Sequence, residues 1–340
     1  MKRALLIPVL TFCLPIGAQA SPWALPKGSL AWTSVLEFQW AGQEFLDRRV
    51  TTEFPLDGFY SATRFEVGAR YGLGQGFDLE LSIPVQIVSF QSDPVILAIP
   101  DGSPDTVLDR AQESVLDFSQ VRAGVADIRA LVRKQWIGRP FAFSTTLEVK
   151  IPAAYQGPAG TFGSRPETVD ELLEVVDEAI AQQNVEDDIA LGDGQVDIIP
   201  MAHIGWASRG GWFTRAAVGY AWRLDEAGDE FRAEGRFGKL IARKVLLFAG
   251  AQLRYAVGEG RLIGVSVAAE DPSLPATEFR GLENLDLREL RLERDALRLD
   301  GGLIYRLTKT LEINANYART VWGRNTTAVN SVAFALAGRI

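Results

Sequence analysis

The chain has 340 residues, 47% hydrophobic and 23% charged, with a formal net charge of −8. That balance excludes a disordered or collagen-like chain, and nothing in it picks out nucleic acid as a partner. One histidine and one cysteine cannot furnish a zinc site or a disulfide framework.

The first twenty residues read as an export signal. Met1-Lys2-Arg3 is basic, Ala4 to Leu14 is an apolar run too short to span a bilayer, and Ala18-Gln19-Ala20 is an A-x-A cleavage signature. Cys13 lies inside this segment and follows Phe12, which is too large for a lipoprotein signal. The expected organisation is a signal peptide over 1–20, a tail over 21–28 and a β-domain over 29–340. No other stretch approaches 18 uninterrupted apolar residues, so no transmembrane helix is expected.

From residue 30 onward the pattern has period two, as on a strand with one apolar and one polar side. In 30–40, Leu30, Trp32, Leu36, Phe38 and Trp40 face one way and Thr33, Glu37 and Gln39 the other. In 59–72, Phe59, Phe65, Val67 and Tyr71 oppose Arg64, Glu66 and Arg70. In 77–88, Phe77, Leu79, Leu81, Ile83, Val85 and Ile87 oppose Asp78, Glu80, Ser82 and Gln86. Further strands are predicted near 120–136, with a bulge between Gly124 and Asp127, and at 141–151, 193–207, 212–224, 231–242, 245–258, 295–307, 311–322 and 328–340. That makes twelve.

Connections alternate in length. GLGQG (72–76), IGRP (137–140), SRGG (208–211), ARK (242–244) and TKT (308–310) are short; on the other side the segments near 41–57, 91–117, 152–191 and 259–294 are long, and only DEAGDE (225–230) and GRNTT (323–327) are short. Tryptophans fall at both strand ends: Trp32, Trp136, Trp206 and Trp212 at one, Trp40, Trp222 and Trp322 at the other, with only Trp23 outside the pattern. Short turns on one side, long loops on the other and two aromatic girdles define an all-β, antiparallel transmembrane β-barrel of an outer membrane. The polar side then faces a lumen and the apolar side faces lipid. Closure also satisfies every backbone group.

The lumen-lining candidates are Arg64, Glu66, Arg70, Glu80, Asp127, Arg129, Arg133, Glu148, Lys150, Arg215, Arg223, Arg232, Glu234, Arg236, Arg254 and Arg298. They fit either a salt-bridged wall or a selectivity-setting constriction. In the third long loop, SRPETVDELLEVVDEAIAQQ (164–183) breaks the strand pattern. Ser164 and Glu167 form a capping box, and Val169, Leu172, Leu173, Val176 and Ile180 share one face of a helix predicted near 165–184. That face packs on neighbouring loops or gates the mouth. Residues 164–190 carry nine acids against Arg165, and 91–117 carry six against Arg110. Such an acidic rim favours cations over anions.

The order of YGLGQGFDLELSIPV (71–85), AGVADIRALVRKQW (123–136), FSTTLEVKIPAAY (143–155), LGDGQVDIIPMAHIGW (191–206) and AVGYAWR (217–223) resembles the outer-membrane barrel family named for the phenol meta-cleavage pathway. The matching motifs are Gly124 with Asp127, Lys150 with Pro152, and Leu191, Gly192, Gly194 and Asp197. The final Ile340 departs from the usual aromatic ending. The resemblance implies passive transport of small molecules, with aromatic or hydrophobic compounds as cargo.

Other motifs carry less. GLGQG is followed by a strand where a dinucleotide loop would open a helix. His203, with Asp197 and Ser208 nearby in sequence, is the only catalytic constellation on offer, and it is predicted to face the lumen. The sequence therefore points to a non-enzymatic channel without cofactor or metal. Its expected partners are outer-membrane lipids, lipopolysaccharide, a small solute and the barrel-assembly machinery. A closed, salt-bridged structural or adhesive barrel is the alternative.

Overall fold

The computed structural model describes residues 22–93, 95–96, 115–116, 119–138, 140–155, 157–158, 190–224, 227–242, 244–270 and 285–340. Twelve strands form the wall: β1 Leu30–Ala41, β2 Phe59–Gly74, β3 Phe77–Gln91, β4 in two pieces Gln120–Val125 and Ile128–Ile137, β5 Phe141–Ile151, β6 Asp197–Ala207, β7 Trp212–Arg223, β8 Glu230–Ile241, β9 Val245–Ala256, β10 Asp295–Arg306, β11 Leu311–Arg324 and β12 Asn330–Arg339. Each pairs antiparallel with its sequence neighbour, and β12 returns to β1 from Trp32↔Gly338 to Trp40↔Asn330. The sheet is a closed barrel, so no barrel-long edge remains to meet lipid.

The period-two pattern decides which way each residue points. On β3, Leu79, Leu81, Ile83, Val85 and Ile87 are exposed on the outside, while Asp78 and Val88 are buried inside. On β5, Phe141, Leu147 and Ile151 face out, and Ser144, Thr146, Glu148 and Lys150 face in and are buried. An apolar band this continuous on the outside, over a polar interior, inverts a water-soluble protein and suits a lipid surround. Trp136 and Trp212 stand exposed at the short-turn end, Trp40 and Trp222 at the long-loop end. Lys134 lies over Phe77 at 4.1 Å and Lys239 over Trp212 at 4.7 Å, also at the short-turn end. There an ammonium can reach a polar headgroup level while its stem covers apolar surface. No described helix is long and apolar enough to cross a membrane.

The bulge expected between Gly124 and Asp127 is the break between the two pieces of β4, at Ala126 and Asp127. Two long segments read as loops contain strands. Gln43–Asp47 and Val50–Glu53 form a hairpin that also pairs with Thr326–Thr327, and Leu262–Glu270 pairs with Leu285–Arg291. A third, minimal ladder joins Val95–Ile96 to Val115–Leu116. These short ladders stand clear of the barrel sheet, where alternation has no lipid face to advertise it. The helix predicted near 165–184, with Val169, Leu172, Leu173, Val176 and Ile180, lies outside the described residues, as does the signal peptide expected over 1–20.

Candidate functional site

Three features occupy the barrel interior: a tail, a dry charged layer and a wetter vestibule. The tail comes first in the chain. Residues 22–28 precede β1 and cross the short-turn mouth toward β6. Gly28 N–H donates to the Gly72 carbonyl at 2.8 Å, Leu25 N–H to Asp78 Oδ2 at 3.1 Å and Ala24 N–H to Gln135 Oε1 at 2.7 Å. The Trp23 carbonyl accepts from Arg70 Nη2 at 2.6 Å. Pro22 and Trp23 lie against Gly205 so closely that a Cβ there would collide with both rings. Gly72 is constrained in the same way by the Leu25 and Pro26 carbonyls. Trp23, the tryptophan that fits neither girdle, belongs to this tail.

Above the tail the lumenal charges pair across strands. Arg70 holds Asp78 through two bonds, of 2.9 and 2.6 Å. Arg133 lies 3.6 Å from Asp78 and 3.9 Å from Glu80. Arg236 meets Asp300 at 2.7 Å, and Arg215 and Glu234 line the same small void. Asp78, Arg133 and His203 have no exposed surface. Bidentate pairing is what makes such burial tolerable, because an unpaired buried charge costs several kcal/mol.

His203 Nε2 lies 2.8 Å from Thr146 Oγ1 inside this layer. Ser208 instead accepts from the Trp212 N–H in its turn at 3.1 Å, so the serine, histidine and aspartate do not assemble. No group of three metal-ligating side chains stands together among the described residues.

Toward the long loops, Lys150 binds Asp193, with Asp197 at 3.1 Å and Asp127 at 3.6 Å. Arg223 reaches Asp193 at 2.6 Å, Asp197 at 3.4 Å and Glu230 at 3.3 Å. Arg232 joins Asp197 to Glu230. Burial alone would raise the Asp193 carboxyl, but Arg294, Lys150 and Arg223 hold it well below the usual carboxylate range. Asp193 lies outside the strands and was not among the residues singled out from sequence. It is an isolated acid in a glycine turn, and only the fold gathers three cations on it.

The remaining candidates form a vestibule. Arg64 pairs with Glu66, Arg298 with Glu37 at 2.7 Å and Arg129 with Glu148 at 3.9 Å. Arg254 faces inward opposite Arg232.

Among the described residues the wall thins beside β4. The upper piece of β4, Gln120–Val125, pairs with β3 on one side, whereas β5 pairs only with the lower piece, ending at Ile151↔Ile128. Beside the upper piece lies a recess of about 660 Å³ lined by apolar Val125, Ile128, Ala154 and Leu191, with Arg122 and Tyr155 as polar members. Leu191 reaches in from the long segment before β6 and packs on Ala62, Val88 and Ala126. Tyr155 donates to Asp127, and burial first, that bond second, push its phenol up.

No family model matches the chain, and no curated protein does. Among solved structures, an outer membrane channel from Pseudomonas putida F1 is similar at a TM-score of 0.60, with 10% identity over 94% of this chain and 97% of that one. The NanC porin aligns at a TM-score of 0.44, with 9% identity over 90% of this chain and 98% of that one. The translocator domain of the autotransporter NalP from Neisseria meningitidis aligns at 0.41, with 7% identity over 93% and 90%. The first of these shows the fold, a twelve-stranded barrel of the outer-membrane type.

Proposed function

We propose that the chain is an outer-membrane channel admitting small, largely apolar solutes, aromatic compounds among them, through the wall recess beside β4. The carrying observation is the apolar recess beside Gln120–Val125, where β5 has turned away from the barrel wall and pairs only with the lower piece of β4. An apolar hollow at the level of the lipid offers such a solute a way in from the side. The resemblance to the phenol meta-cleavage barrels and the fold shared with a bacterial channel support the same reading. In this reading the tail of residues 22–28 keeps the short-turn mouth shut between passages, and solute leaves when it shifts. Lipids, lipopolysaccharide and the barrel-assembly machinery are the partners that such a location entails.

The test uses a neutral naphthylamine dye that an intact lipopolysaccharide leaflet excludes. Expressing the chain should speed dye entry into such cells, and Ala154→Trp, which fills the recess, should return entry to background. If the folded barrel leaves dye entry unchanged, the channel reading is wrong. The alternative, a sealed structural barrel, draws on the fully buried Asp78, Arg133 and His203. It requires that the unaltered chain and Ala154→Trp both leave entry at background.

A further inference from the structure

The paired charges of the vestibule are not presented evenly. Side-chain exposure is 27% for Arg298 against 8% for Glu37, 24% for Arg129 against 3% for Glu148, and 37% for Arg294 against 9% for Asp193. Arg324 is 27% exposed over a fully buried Asp295. In these four pairs the carboxylate is the more buried partner and the guanidinium the more exposed, whereas Arg64 and Glu66 are equally exposed at 22%. Arg254 goes further: it is half-buried, and among the described residues it has none of the ion pairs that hold the other lumenal arginines. It lies within electrostatic reach of Arg232, Arg294 and Arg129, and of the Glu230 carboxylate, which Arg223 and Arg232 already engage. A guanidinium keeps its charge at any working pH and presents donors in a planar fork suited to a carboxylate. Arg129 follows Ile128, which lines the wall recess, and points to the lumenal face of the same strand.

We propose that Arg254, flanked by Arg129 and Arg232, is a binding subsite for the anionic head of the solute, so that the preferred cargo is an amphipathic monocarboxylate with an apolar body. This rests on the channel reading and narrows it. It runs against the cation preference that the acidic loop sequences suggest. Those loop charges act at a distance and are screened over about 8 Å at physiological ionic strength, whereas the guanidinium fork acts at contact.

The experiment is equilibrium dialysis of labelled benzoate, with benzyl alcohol as its neutral counterpart, against the refolded mature chain in detergent micelles, empty micelles serving as blank. Benzoate should bind at least about tenfold more tightly than benzyl alcohol, a difference of about 1.4 kcal/mol. Arg254→Gln should remove that preference, and Arg254→Lys should restore part of it. Equal binding of the two probes, absence of benzoate binding, or unchanged benzoate binding by Arg254→Gln would each overturn the proposal. Dye entry separates the two readings. If benzoate fails while dye still enters through Ala154, only the carboxylate subsite falls; if both fail, the channel reading falls with it.

Discussion

The two halves of the lumen are built from the same residue types and use them differently. At the short-turn end Arg70, Asp78 and Arg133 are locked together out of reach of water. At the long-loop end Arg129, Arg298 and Arg294 keep 24 to 37% of their side-chain surface exposed. A charge pair in the first setting holds the structure, because breaking it strands a buried ion. A pair in the second is worth little to stability, and its exposed member stays available to a solute. The dry setting is not confined to the short-turn end, since Arg223, Asp197 and Glu230 toward the long loops are also fully buried; burial and partnering, and not composition, separate the structural charges from the accessible ones.

The largest test of that contrast is Asp78→Ala. It strands Arg70 and Arg133 and removes the acceptor of the Leu25 N–H, so urea unfolding should show a loss of about 3–5 kcal/mol. Single-channel conductance should rise at the same time as the tail loosens. Gly205→Val comes next. Its side chain would collide with Pro22 and Trp23, costing about 1–3 kcal/mol by overpacking, with a conductance gain but an intact wall. Glu37→Gln should be milder, about 1 kcal/mol or less, since Arg298 keeps solvent and its 2.5 Å bond to Ser331. If Glu37→Gln proved as costly as Asp78→Ala, the division into dry and wet halves would be lost.

The smallest effect concerns acid. The folded Asp193 carboxyl is depressed, so its stabilisation is present above the ordinary aspartate value, about pH 4, and drains away as pH falls below it. Asp193→Asn should lower the melting temperature in the neutral region, where that stabilisation is present, and flatten the acid limb, so that the two profiles converge at low pH. An acid limb identical in both proteins would mean that the Lys150 and Arg223 contacts contribute no linkage.

Much of the barrel was legible from the chain alone. Strict alternation on 59–72, 77–88 and 141–151 arises because one face meets lipid and the other does not, and lipid tolerates few exceptions. The bulge near Gly124 was legible because glycine and aspartate interrupt an otherwise regular register. The tail was not: nothing in PWALPKG reveals that it crosses the lumen, since its bonds run through backbone groups to Arg70, Asp78 and Gln135, far away in sequence. Nor could alternation alone say which lumenal charges are wet. Arg133 and Arg129 sit four residues apart on one strand face, yet one is sealed and the other solvated, because the layer across the barrel closes over the first only.

The seam of the barrel brings the start of β1 and Ile340 to one rim. Leu30 N–H donates to the Ile340 carbonyl at 3.0 Å and Ile340 N–H to the Leu30 carbonyl at 2.8 Å, while Pro22 is buried against the opposite wall and Ile340 remains 84% exposed. The two ends therefore tolerate attachment very differently. A purification tag or reporter joined directly ahead of Pro22 has to share the narrow mouth with the tail and would prop it open, altering whatever flux is being assayed. The same tag placed after Ile340 projects freely from the rim. Handles for labelling, pull-down or surface immobilisation belong at the carboxyl end.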